Sequence, residues 1–81
     1  NDWTVIDDHH LFKRYTFKNF RKALAFVNIA VDLAEEVGHH PNFMITWGVV
    51  EVSICTHAIN GLHRTDFILA AKIEELFINI S

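Results

Sequence analysis

Apolar and polar positions alternate, change period and alternate again along the chain. Residues 3–6 read as a short strand, followed by the turn-prone pair Asp7-Asp8. Residues 11–16 form a second strand, with Leu11, Lys13 and Tyr15 on one face and Phe12, Arg14 and Thr16 on the other. Over residues 19–37 the period lengthens. Phe20, Leu24, Val27, Val31 and Ala34 follow the three- and four-residue spacing of an amphipathic helix, and this stripe is the expected core face. Gly38 stands where a left-handed C-terminal cap belongs, and Pro41 bars continuation. Residues 42–47 predict a third strand, Gly48 a bend, and residues 49–57 a fourth strand. Its Val50, Val52 and Ile54 face the core, which sends Glu51, Ser53, Cys55 and His57 to the other side. Asn60-Gly61 closes that strand. Residues 65–80 predict a last helix carrying Leu69, Ile73, Leu76 and Ile80, with Thr65 or Asp66 as N-cap.

Strand, strand, helix, strand, strand, helix is most simply an α+β fold. It is a two-layer sandwich of a four-stranded antiparallel sheet with both helices on one face, a single domain over residues 1–81. His57 is then expected on the open face of the sheet. Composition adds a second expectation. With 81 residues, 51 % of them hydrophobic, and a mean hydropathy of +0.17, a small domain has more apolar side chain than its core can hide. Self-association follows. The single Cys55 excludes an internal disulfide framework and any multi-cysteine metal site. No apolar run approaches the ~20 residues of a membrane helix, since Asn28, Asp32, Glu35 and Glu36 interrupt the longest stretch. A net charge of −3 with seven scattered basic residues argues against direct nucleic-acid binding. The chain opens on Asn1 without the basic and apolar regions of a signal peptide, so a reduced, cytoplasmic setting is expected.

Histidine supplies the chemistry. His39 and His40 follow the first helix, His57 ends the fourth predicted strand, and Asp66 opens the last helix. Glu35 precedes His39 by four residues, one helical turn, which directs its carboxylate towards that imidazole. Imidazoles titrate nearest neutral pH, so such a group suits proton transfer. Two other readings compete. A histidine pair at a helix end can cap carbonyls and complement the helix dipole. Three histidines and a carboxylate can also ligate zinc, although adjacent histidines point apart on extended backbone and no HExxH helix is present. His9 and His10 fall in the first turn and are expected to be solvated. His63 is a candidate cap, and Cys55 a small packed or pocket-lining residue.

The spaced set Glu35, His39-His40-Pro41, Trp47, His57, Asp66 resembles the pattern of the pterin-4a-carbinolamine dehydratases. Trp3, the stretch FKRYTFKNFRKALAFV, THAINGL and DFILAAKIEEL also look like the corresponding family segments, so the resemblance spans essentially the whole chain. It implies a ββαββα enzyme that removes water from 4a-hydroxytetrahydropterin, giving quinonoid dihydropterin for tetrahydrobiopterin recycling, with no cofactor and no metal. His39, His40 and His57 match the family's active-site histidines. Glu35 and Asp66 would orient the cluster or bind substrate, the segments around Gly38-Pro41 and Cys55-Thr56-Ala58 would line the pterin ring, and Trp3 would add an apolar wall. Compared with animal members, Gly38 stands for an acidic residue, Cys55 for a serine and Ala58 for a glutamate. The resemblance further implies a homodimer or homotetramer and no membrane association. It also supplies an alternative: a non-catalytic dimerisation or coactivator module that binds a transcription factor through Phe67, Ile68, Ile73, Leu76, Phe77 and Ile80 of the last helix. By the same analogy the nucleus joins the cytoplasm as a location.

Overall fold

The computed structural model describes residues 3–80 and is built from two hairpins, each followed by a helix. Strands β1 (Thr4–Ile6) and β2 (His10–Thr16) pair antiparallel, with Val5 opposite Leu11. The connection holds Asp7 and Asp8 at φ 53, and His9 N–H donates to Ile6 O at 2.8 Å. Short acidic side chains tolerate this left-handed backbone better than most. Strands β3 (Asn42–Thr46) and β4 (Val49–Ile54) form the second hairpin through Trp47-Gly48. Here Phe17 N–H donates to Gly48 O at 2.7 Å, and a Cβ on Gly48 would stand 3.0 Å from Phe17 O, so only glycine fits without a shift. The sheet order is β1-β2-β4-β3, all antiparallel.

Pairing of β2 with β4 places Leu11 opposite Ile54, Lys13 opposite Val52 and Tyr15 opposite Val50. The apolar members of these pairs meet Ala23 and Phe26 of α1 (Phe20–Val37) and Leu69, Ala70 and Ile73 of α2 (Arg64–Ile80) in one core. Both helices therefore cover one face, as the alternation predicted. No helix of the described residues is long and apolar enough to cross a membrane.

Helix α1 starts and stops as expected but is rotated. Asn19 caps it by accepting from Lys22 N–H at 2.9 Å, and Gly38, at φ 72, donates to Ala34 O at 2.9 Å. The buried stripe is Ala23, Phe26, Ala30 and Ala34, whereas Phe20, Leu24 and Val31 of the predicted core face are 49, 44 and 41 % exposed. The expectation weighted large apolar residues. The sheet instead takes the alanine side, because small side chains let the helix backbone approach closely and leave room for the one large anchor, Phe26. In α2, Leu69 and Ile73 are buried and Ile80 is not. Ile73 and Phe77 are committed to the core, Phe77 against Tyr15, Phe17 and Phe26, so the partner-binding face anticipated for this helix is narrower than its sequence suggests.

One polar cluster crosses the core. Lys13, only 8 % exposed, donates to Glu74 Oε1 at 2.5 Å, and Tyr15 O–H donates to the same oxygen at 2.8 Å. Lys13 Nζ also lies 4.6 Å from the centre of the Tyr15 ring. Burial would raise the Glu74 pKa, but the bonds from Lys13 and Tyr15 outweigh it and hold the carboxyl below its usual range. Burial first, and then the Glu74 carboxylate, push the Tyr15 phenol far up. A lysine on an otherwise apolar strand face was the sequence signal for this tie between β2 and α2.

Candidate active site

The site forms where the C-terminal end of α1 meets the N-terminal end of α2. Left-handed Gly38 ends α1 and turns the next two residues apart, which adjacent side chains on extended backbone do anyway. His39 turns inward and its Nε2 hydrogen-bonds Asp66 Oδ1. His40 turns outward and its Nε2 meets Glu35 Oε2 at 2.7 Å, with both side chains more than half exposed. Glu35 therefore partners His40 rather than His39. The expected one-turn spacing holds only inside a continuous helix, and the chain has left the helix at Gly38.

Asp66 joins the segments. It is fully buried and sits in the first turn of α2, at its third residue. Its Oδ2 accepts from Thr56 O–H at 2.7 Å and from the backbone N–H of His63 at 2.8 Å, while Oδ1 takes His39. The bond to His63 makes Asp66 the reaching-back partner of a capping box and puts His63, not Thr65 or Asp66, at the helix cap. His63 thus fills the cap role read from the sequence. Burial alone would raise the Asp66 pKa. Thr56, His39, the His63 N–H and the nearby imidazole more than offset it, and the carboxyl is held below its ordinary value.

His57 corrects a second expectation. Strand β4 ends at Ile54, and His57 opens a 3-10 turn (His57–Ile59), exposed at the loop rather than on the open sheet face. Two residues past the strand the period-two rule no longer applies. The loop is closed at its base, where Thr56 N–H donates to Gly61 O at 2.8 Å and Gly61 N–H to Thr56 O at 3.3 Å. Among the described residues no side-chain hydrogen bond reaches His57, but its neighbour Thr56 is bound to the carboxylate that holds His39. Through Asp66, the His39 segment and the His57 segment share one buried anchor.

Residues 1–76 match the family model described as pterin 4 alpha carbinolamine dehydratase. The chain belongs to that family. It is 57 % identical over 74 residues to a protein of Rickettsia canadensis and 46 % identical over 74 residues to one of Alkaliphilus metalliredigens, each bearing the name "Putative pterin-4-alpha-carbinolamine dehydratase". The alignments cover 91 % of this chain and 68 and 67 % of those relatives, so the chain spans about two thirds of their length. Among solved structures, a transcriptional coactivator/pterin dehydratase from Brucella melitensis superposes with a TM-score of 0.87 at 28 % identity, over 94 % of this chain and 82 % of that one. A pterin dehydratase-like protein identified as a RuBisCO assembly factor in the alpha-carboxysome superposes at 0.80 with 24 % identity, over 94 and 89 % of the two chains, a likeness of fold alone.

Of the dehydratase pattern, the structure joins His39 to Asp66 and His40 to Glu35. Pro41 follows them into β3, and Trp47 stands 73 % exposed in the β3–β4 turn. Cys55 is half-buried and leads into Thr56, whereas Ala58 is exposed in the 3-10 turn. Trp3 packs edge-on against Tyr15 with ring centres 6.3 Å apart, alongside the core. A cleft of about 270 Å³ lies between the helix ends, lined by Gly38, His39, Thr65, Ile68 and Lys72 among others. No three or more His, Cys, Asp or Glu side chains among the described residues are grouped to hold a metal ion. Sequence reasoning placed Thr56 at the pocket wall and missed its bond to Asp66.

Proposed function

We propose that this protein dehydrates 4a-hydroxytetrahydropterin to quinonoid dihydropterin, with His39, His40 and His57 as the proton-transfer groups. Hydroxide is a poor leaving group. An imidazolium therefore gives its proton to the 4a-oxygen as the C4a–O bond breaks and water departs, while another imidazole accepts the ring N–H proton that the product no longer carries. The observation that carries this reading is the buried Asp66 carboxylate, which holds His39 and, through Thr56, the segment bearing His57. With Nε2 given to Asp66, His39 keeps Nδ1 for chemistry; with Nε2 given to Glu35, His40 does the same. The remaining assignments are substrate contacts: the backbone around Gly38 and Pro41 and the Cys55, Thr56 and Ala58 segment along the ring, with Trp3 as an apolar wall beside Tyr15. No cofactor is required by this chemistry. The exposed Phe20, Leu24 and Phe67 support self-association, which sedimentation tests directly.

The test is turnover. Purified protein added to 4a-hydroxytetrahydropterin is expected to accelerate appearance of the quinonoid product, and His40→Ala or His57→Ala to remove about 100-fold or more of that acceleration with folding intact. Absence of acceleration by the unmodified protein overturns the proposal.

A further inference from the structure

The loop bearing His57 has a second anchor, in a part of the molecule the dehydratase pattern does not include. The tip of that loop is exposed from His57 to Asn60, and its backbone turn is closed by Asn60 N–H donating to His57 O at 3.1 Å. Asn60 takes the left-handed conformation, φ 51 and ψ 44, which aims its side chain back towards the first hairpin. There its Oδ1 lies 3.0 Å from His9 Nε2. His9 is itself braced. Its backbone N–H closes the β1–β2 turn onto Ile6 O at 2.8 Å, and its Nδ1 lies 3.2 Å from His10 Nδ1, with the two rings edge-on at 5.4 Å. Both histidines are half-buried rather than solvated, against the sequence expectation. The contact pattern assigns the protons: His9 Nε2–H donates to Asn60, so in the neutral ring its Nδ1 accepts from His10 Nδ1–H. Asp8 O, 4.0 Å from a Cβ built on Gly61, shows the same hairpin turn lying against the same loop.

We propose that His9 is a positioning residue for the dehydration: by holding Asn60 it sets the place of the turn that carries His57. Thr56, bound to Asp66 and bridged to Gly61, fixes the base of the loop four residues before Asn60 and leaves the tip to this contact. The inference rests on the dehydratase reading for its kinetic readout only.

The experiment measures kinetics and the histidine ring resonances of the full chain for three single variants and for the double variant that combines His9→Phe with Asn60→Gly. His9→Phe keeps a ring against His10 without the donor. Asn60→Gly keeps the left-handed turn without the amide, and Asn60→Asp keeps an acceptor for His9. The expected result is a kcat about three- to tenfold lower in His9→Phe and in Asn60→Gly, the worth of one neutral hydrogen bond, with KM held within about twofold. The double variant is expected to be no slower than either single one, and Asn60→Asp to retain the unmodified rate. The His57 Cε1–H resonance shifts in the first two variants, while that of His39 stays in place. An unmoved His57 resonance with unchanged kcat overturns the proposal, as does a double variant whose losses multiply. If the unmodified protein shows no turnover, the dehydratase reading falls, and the resonances alone still decide whether His9 positions His57.

Discussion

Replacing Asp66 with asparagine keeps the shape of the side chain and removes its charge and one acceptor. In the folded protein three donors converge on this buried carboxylate: His39 Nε2–H, Thr56 O–H at 2.7 Å and the His63 N–H at 2.8 Å. An amide can accept on its single oxygen, and its NH2 group then faces a donor. One bond to a charged acceptor, worth about 1.5 kcal/mol at the low end, is lost, the two that remain on the amide oxygen weaken by about 0.5–1 kcal/mol each as the charge goes, and the favourable placement of a negative charge in the first turn of a helix adds a few tenths. The expected loss is about 3 kcal/mol. At a urea dependence of about 1 kcal/mol per molar for a domain of this size, the unfolding midpoint at pH 7 falls by about 3 M. The pH dependence has a definite sign. Because the folded-state pKa of Asp66 is lowered from 3.8, its contribution is complete above that value and is lost as pH falls through the folded-state pKa. The difference between the two proteins should therefore narrow below about pH 4, while the similar acid loss from Glu74, whose pKa is also lowered, is common to both. A midpoint within about 0.5 M of the unmodified protein at pH 7, or a difference that stays constant into acid, would show that the carboxylate is not the anchor described here.

Other perturbations test separate parts of the reasoning. Phe26→Ala, at a fully buried position, should cost about 3–5 kcal/mol in urea unfolding, whereas Phe20→Ala, half exposed on the same helix, should cost under about 1 kcal/mol in dilute solution; equal losses would mean the helix is rotated otherwise. Lys13→Met leaves Glu74 without its cation and should destabilise by about 2 kcal/mol, discounted for the partial exposure of Glu74, and adding Glu74→Gln should recover part of that loss in a double-mutant cycle. Gly38→Ala meets nothing within 4 Å, so a cost of about 1 kcal/mol by thermal unfolding would come from the backbone at φ 72 alone; a neutral result would mean α1 ends differently.

The strands were legible because alternation is a one-dimensional signal, and the burial of Leu11, Tyr15, Val50, Val52 and Ile54 follows it directly. The limits of α1 were legible too, since Asn19 and Gly38 act on the backbone next to them. The rotation of that helix was not. A helix with apolar residues on two adjoining stripes can face the sheet with either, and the choice of Ala23, Phe26 and Ala30 over Phe20, Leu24 and Val31 depends on how near the sheet lets the helix come. The same limit applied at the site. The residue types and their spacing indicated Glu35, His39, His40, His57 and Asp66 as a proton-transfer group and, through their resemblance, the family. Which carboxylate meets which imidazole depended on the turn at Gly38 and on the end of β4 at Ile54, where helical and strand periods both stop. The contacts of Asp66 with His39 and of His9 with Asn60 join residues far apart in the chain. By itself the sequence determined the elements, their order and the chemical cast, because those depend on neighbours within a few residues. Only the tertiary structure decided the partnerships, because a hydrogen bond between distant segments exists only once the sheet and helices have brought them together.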